Sequence, residues 1–520
     1  MLGSIAEDVH QANGTRFLTP MRKRRMAVED FHLGVTSSIE LHIAFSALPR
    51  PYRVMPPIPQ PAAYQPDPTI TEIADFLGDA VSAADFPETK LRFRNDRWAA
   101  AVGLGDLSDA EWTQHFGRFA PLAGNLPQPL ALRYHGHQFR NYNPDIGDGR
   151  GFLFAQMRGC DERLLDLGTK GSGQTPYSRF GDGRLTLKGA VREILATEML
   201  EALGVNTSKT FSVIETGEAL HRGDEPSPTR SAVLVRLSHG HIRIGSFQRL
   251  AAIGDEVALR RLTDYALLHY YGEGGGDDAP ARLLAHVARA TATLAASYMA
   301  AGFVHGVLNS DNINISGESF DYGPWRFTPM FDPTFTAAYF DESGLYAFGR
   351  QAEAIHWDVV QLGNALTAIA EVDALNEAVA AFAPAYQSAV AERFLWRLGV
   401  TPRGEVQDLA LVKTITTALG QGEVSIDRFF FDWAGGRRRG ASPADTAYAS
   451  ESFASFNKAV ANYAPARRLT HAYWHGDAPC AMHIEEVEAI WAPIAEADDW
   501  GMLTAKVAAI RTMGEAMDIT

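Results

Sequence analysis

The sequence predicts an α+β fold in two parts: a mixed, strand-rich part first, a helical part second, with a helical extension at the C-terminal end. Three observations predict it. Between residues 90 and 250, short β-like runs alternate with glycine-rich turns. A charged, glycine-rich stretch at 272–278 then interrupts the chain. Beyond it, apolar residues recur mostly at helical spacing.

Taken in order, residues 1–68 read as an extension. They hold a basic cluster at 22–25 and a proline-rich stretch at 51–68, a composition that favours a solvated, extended segment. Residues 69–272 carry the strands, expected at 151–157, 164–170, 210–214 and 232–237. Between them 185–203 reads as a helix, because Val191, Ile194, Leu195, Met199 and Leu203 fall on one face. Residues 279–420 form the helical part. Its first helix places Leu284, Val287, Ala288, Thr291, Leu294, Ala295 and Tyr298 on one side, and 358–370 is the clearest later helix. Residues 421–520 read as a further helical region.

Bulk properties exclude some functions. The chain has 520 residues, 46% hydrophobic and 21% charged, and no uninterrupted apolar run long enough for a membrane span. Its net charge of −15 disfavours a general nucleic-acid binder. Only Cys160 and Cys480 occur, without metal-binding spacing, which fits a reducing cytoplasm and two unrelated thiols.

The chemistry is concentrated at His305-Gly306-Val307-Leu308-Asn309-Ser310-Asp311-Asn312, followed by Asp321-Tyr322-Gly323. Protein kinases carry His-Arg-Asp, an Asn five residues after that Asp, and a later Asp-Phe-Gly. His305, Asn312 and Asp321 stand at matching positions, but Val307 replaces the kinase base and cannot accept a proton. Asp311 becomes the candidate base. Asn312 and Asp321 offer oxygen ligands that suit Mg²⁺ or Mn²⁺ on nucleotide phosphates. A strand-rich part, a helical part and a catalytic loop just past the first long helix together make the two-lobe kinase plan.

Upstream residues fit a nucleotide site. Gly147, Gly149 and Arg150 lie just before a strand, where glycine backbone approaches phosphates closely and Arg adds a forked cation. Lys170 ends the next strand, and a kinase pairs such a lysine with a helix glutamate. Glu193 is the first choice and Glu198 the second. Arg236 and Arg243, seven residues apart, are candidate phosphate clamps.

These residues sit within longer blocks. They include residues 134–139, 143–144, 147–151, 170–184, 238–247, 305–312, 315–324 and 346–351. In their order and spacing the chain resembles the selenoprotein O family, also called the YdiU family, of kinase-like protein adenylyltransferases. The resemblance covers roughly residues 90–370. It implies an atypical protein-kinase-like two-lobe fold that binds ATP in reversed orientation and transfers AMP to Ser, Thr or Tyr hydroxyls of proteins. Some bacterial members are described as using UTP with Mn²⁺. It implies nucleotide contacts at Gly147, Gly149, Arg150, Lys170, Asp182, Gly183, Arg236 and Arg243, and a Lys170–Glu193 pair. Asp311 would be the proton acceptor, and Asn312 and Asp321 the metal ligands. Reversal rationalises Val307, since attack at the α-phosphorus lets the base sit elsewhere on the loop. Two other readings compete: a catalytically silent nucleotide-binding scaffold and a conventional phosphotransferase. The sequence departs from the family at Arg140, where glycine is usual, and after about residue 400; Cys480 lies 40 residues before Thr520, farther from the end than the family's usual cysteine or selenocysteine.

Overall fold

The computed structural model describes residues 60–517 except Asp224. The basic cluster at 22–25 and most of the proline-rich stretch lie outside the described residues. The last part of that stretch packs on the protein: Pro66 bridges Met157, and Asp67 pairs with Arg158 at 2.6 Å.

Strands β1 (Gly78–Ala80), β2 (Lys90–Arg94), β3 (Leu130–Leu132), β6 (Leu153–Arg158), β7 (Leu164–Lys170), β9 (Lys209–Leu220) and β10 (Thr229–Ser238) form one antiparallel sheet. A short strand β8 (Leu185–Thr186) also joins it, and β4 (Gly136–Gln138) and β5 (Asn141–Asn143) form a separate hairpin. The sheet order is β1-β3-β6-β7-β10-β9-β2, with β8 taking up the edge of β10 where β7 stops. β7 and the centre of β10 fall where the sequence places strands. β9 runs six residues past its expected end at 214, and the helix expected at 185–203 begins two residues late because Leu185 and Thr186 pair with β10.

Strand alternation sorts the side chains into two cores. Val233, Val235 and Leu237 of β10 and Leu165 and Leu167 of β7 face an aromatic cluster built on Trp98, Trp112, Phe116, Phe154 and Phe211. Ala232 and Leu234 face the other way, toward helix α1 (Leu187–Ala202). Because Leu234 stands opposite Lys170 and Arg236 opposite Gly168, Lys170 and Arg236 emerge on that second face. The alternation that builds the core thus aims both cations at the same place.

The last long strand ends at Ser238, and helices α2 (Ile244–Ile253) and α3 (Glu256–Tyr271) follow before the glycine-rich stretch at 272–278. Helix α4 (Ala279–Ala301) is the longest; Gly302 ends it in the left-handed conformation, φ 71°. The chain then forms the two-residue strand β11 (Phe303–Val304), paired with β12 (Arg326–Phe327), and the loop between them carries residues 305–325. Helix α5 (Gln351–Leu366) touches this loop at 310–312 and packs on α4, α6 (Phe382–Leu398) packs on α4, and α7 (Glu405–Leu419) packs on α6. The final helices α8 (Ile484–Ala497) and α9 (Gly501–Met517) return to α1, where Arg511 grips Glu198 through two bonds of 2.8 and 2.6 Å. The described residues are therefore mixed α and β, with one large antiparallel sheet, two small two-stranded ones and many helices. No described helix is long and apolar enough to cross a membrane.

Candidate active site

A cleft of about 690 Å³ opens between the sheet and the 305–325 loop. Seven cations line it (Arg150, Lys170, Arg179, Arg184, Arg222, Arg236 and Arg243) against four carboxylates (Asp148, Asp182, Asp311 and Asp321). In a chain of net charge −15 this is a local positive surplus, the field an anionic ligand needs.

The deepest group is a buried charge cluster. Lys170, 3% exposed, bonds Glu193, 1% exposed, and its Nζ lies 3.1 Å from Asp321 Oδ1. Glu198, the second choice, is instead held by Arg511. Arg236 approaches Asp321 at 3.7 Å, while its Nε and Nη1 have no hydrogen-bond partner. Arg243 donates to the Asp311 carbonyl at 3.0 Å and pairs with Asp148 at 3.2 Å.

Asp321 and Asp311 occupy opposed environments. Burial works against the Asp321 carboxylate, but Lys170, Arg236, Arg243 and Arg150 outweigh it and hold the pKa well below the usual range. Its backbone adopts φ 63°, rare for a non-glycine residue. Asn312 Nδ2 donates to Asp321 Oδ2 at 3.2 Å, so the two expected metal ligands are adjacent. Burial pushes Asp311 the other way, up to about 6, against the pull of Arg243 and a hydrogen bond from Gln138. Its Oδ1 is buried without a partner. Val307 lines the same cleft, and its side chain offers no polar atom. His305 is structural in form: Nε2–H donates to the Phe320 carbonyl at 3.0 Å, bracing the two ends of the loop.

The glycine-rich turn is packed from above by residues 171–184. A Cβ on Gly147 would meet the Tyr177 ring at 2.5 Å, and one on Gly149 would meet the Tyr177 carbonyl at 2.9 Å. These glycines therefore admit the covering segment as well as leaving backbone open to the cleft. Gly183, at φ 71°, would place a Cβ 2.2 Å from Gly173 backbone. Beside it, Arg222 grips Asp182 at 2.9 and 3.1 Å. Arg150 makes no ion pair among the described residues and borders the cleft with its side chain exposed. All the expected site residues except Glu193 line the cleft, and Glu193 reaches it through Lys170.

Sequence reasoning missed the β4–β5 hairpin as a support for Asp311. His137 N–H donates to Ser310 Oγ at 2.7 Å and Phe139 N–H to Asn309 Oδ1 at 3.1 Å. Asn143 Nδ2 fixes Gln138 Oε1 at 3.0 Å, leaving the Gln138 amide N–H groups for the Asp311 carboxylate. Arg179, Arg184 and Arg222 were also missed. Arginine content gave no signal, since 179–222 hold only four arginines. Arg140 turns away from the cleft, pairing with Glu353 at 2.8 Å over the Trp357 ring. Its φ of 62° is one that glycine adopts freely.

Among the described residues no group of three or more His, Cys, Asp or Glu forms a metal cage. The Asn312–Asp321 pair fits an ion such as Mg²⁺, which binds through one or two carboxylates and takes its remaining ligands from water and phosphates.

A family model described as protein adenylyltransferase SelO matches residues 62–511. The chain belongs to that family. It is accordingly a nucleotidyltransferase. It is 43% identical over 449 residues to the protein nucleotidyltransferase YdiU of Gloeobacter violaceus, covering 84% of this chain and 92% of that one. The YdiU protein of Synechococcus elongatus is 49% identical over 336 residues, 64% of this chain and 68% of its own. That of Ruegeria sp. is 38% identical over 345 residues, 65% and 70% of the two chains.

Proposed function

We propose that this chain transfers AMP from ATP to Ser, Thr or Tyr hydroxyls of proteins, with Asp311 as the proton acceptor. One observation carries the reading: Asp311, its buried Oδ1 without a partner, shares one cation-lined cleft with the adjacent Asn312–Asp321 pair and with Lys170. The pKa directions agree, with Asp311 raised and Asp321 lowered, as suits a base beside a charged ligand. The relatives' names, protein nucleotidyltransferase, support a protein acceptor.

In the step, the acceptor O–H gives its proton to Asp311 and its oxygen bonds to the α-phosphorus. The bond from that phosphorus to the bridging oxygen breaks, and pyrophosphate leaves with the electron pair. The nucleotide lies reversed relative to kinases, so that the α- rather than the γ-phosphorus faces Asp311. Lys170, Arg236 and Arg243 stabilise the charge on the phosphates. Asn312 and Asp321 would hold Mg²⁺ or Mn²⁺, which supplies further positive charge there. The two-lobe kinase-like plan is supported by the Lys170–Glu193 pair, the loop at 305–312 and the placement of Asp321 beside both.

Parallel labelling with α- and γ-phosphate-labelled ATP tests this. The α label is expected on protein, metal-dependent, and absent in Asp321→Ala. Transfer of the γ label would instead make the enzyme a kinase. Bound ATP with neither label transferred, to this chain or to added protein, would leave a scaffold.

A further inference from the structure

Four aromatic side chains are exposed among the described residues: Tyr142 (40%), Phe180 (108%), Tyr339 (87%) and Phe340 (46%). Phe180 borders the cleft, and Tyr142 and Phe340 pack on hairpin residues His137 and Phe139, whose N–H groups bond Ser310 and Asn309. Phe180 belongs to the segment covering the glycine-rich turn and lines the cleft itself. Tyr142 is on the β4–β5 hairpin, whose Gln138 faces Asp311. Tyr339 and Phe340 lie on the segment between β12 and α5, downstream of Asp321.

Neighbouring water-exposed aromatic rings mark a contact surface, and Tyr339 and Phe340 are such a pair, with centroids 5.2 Å apart. Here the surface is continuous with the catalytic loop. Phe340 packs edge-on to Phe139, with centroids 5.9 Å apart, and Phe139 packs on Tyr346 at 5.1 Å. Tyr346 in turn donates its hydroxyl to Asn309, which borders the cleft, at 2.6 Å. The segment is also built rather than loose: buried Asp341 accepts the Leu345 and Tyr346 N–H groups, both at 2.8 Å. Arg140 and Arg350, on the segments beside these rings, are both paired with Glu353, while exposed Glu342, two residues from Phe340, is in no ion pair among the described residues.

We propose that Tyr339 and Phe340 form the docking platform for the acceptor, an extended protein segment carrying apolar side chains beside the hydroxyl to be modified. This rests on the transferase reading and names its substrate class. The nucleotide cannot be the occupant of the platform, because the cationic wall that fits it lies inside the cleft and neither Tyr339 nor Phe340 lines that wall.

The test uses two synthetic decapeptides of equal charge, each containing Ser, Thr and Tyr. Leu and Phe flank the hydroxyl residues in one, Gly and Asn in the other. With α-labelled ATP and Mn²⁺, the apolar peptide is expected to be labelled with at least about tenfold higher kcat/KM, the scale of one well-placed aromatic contact. In Tyr339→Ser/Phe340→Ser the preference is expected to vanish through a raised KM, with the Kd for ATP unchanged. Tyr339→Ser alone, at a side chain that is almost fully exposed, is expected to lose part of the preference and guards against misfolding of the double variant. Equal labelling of both peptides, a preference that survives the double variant, or labelling of proteins but of neither peptide would overturn the platform. Absence of AMP from every polypeptide, this chain included, would overturn the transferase reading instead.

Discussion

Replacing Asp311 by asparagine is expected to stabilise the protein while abolishing transfer. The carboxyl is 7% exposed and its pKa stands at about 6 against an ordinary 3.8, chiefly because burial penalises the charge. A raised carboxyl pKa means that the folded state holds the proton more tightly than the unfolded chain. Stability is therefore lost as pH rises from about 4 to about 6, and the loss is complete above that window. A shift of about two units corresponds to about 3 kcal/mol at pH 7.5. At pH 4.5 the same linkage leaves about 1 kcal/mol. Asparagine keeps the shape, carries no charge, and escapes this penalty. Urea unfolding without nucleotide, followed by tryptophan fluorescence, should place the variant's midpoint above wild type at pH 7.5, with the gap narrowing toward pH 4.5. An unchanged or lower midpoint at pH 7.5, or a gap independent of pH, would refute the reasoning. If Asp311 is the proton acceptor, as proposed, the transfer rate of the wild type is expected to fall with decreasing pH as this carboxyl takes up its proton.

Three other perturbations follow from the same contacts. Lys170→Met leaves Glu193 buried without its cation and is expected to cost about 3 kcal/mol, while the Lys170→Met/Glu193→Leu pair recovers only part of the stability in urea, because Asp321 has also lost Lys170, and does not recover transfer. Gly147→Ala drives a methyl into the Tyr177 ring and is expected to weaken ATP binding at least about tenfold by calorimetry, with partial recovery when Tyr177→Ala is added. Arg511→Ala removes two bonds from Glu198 and is expected to cost about 2 kcal/mol. Hydrogen exchange should then accelerate along α1, the helix that carries Glu193, more than in the central strands of the sheet.

What the sequence revealed was what is local. Strand β7 was legible because its end is punctuated by Gly171, and α1 because its apolar residues keep helical spacing. The kinase-like pattern at 305–312 was legible because it has fixed spacing within eight residues, from His305 to Asn312. Glu193, the first choice from the sequence, does bond Lys170; the partner of Glu198 was not legible, because Arg511 lies 313 residues away in the chain and arrives on α9. The hairpin that supports Asp311 was hidden for a similar reason. Its strands are three residues each, and their meaning comes from contact with Ser310 and Asn309 about 170 residues later. The glycines at 147 and 149 looked like phosphate binders, and nothing local says that the Tyr177 segment folds over them.

The most direct test is intact-protein and peptide mass spectrometry after incubation of the pure protein with ATP and Mn²⁺ or Mg²⁺, beside Asp321→Ala treated identically. The account predicts one or more AMP adducts on Ser, Thr or Tyr in the wild type and none in the variant. A phosphate adduct, or AMP retained by Asp321→Ala, would contradict it.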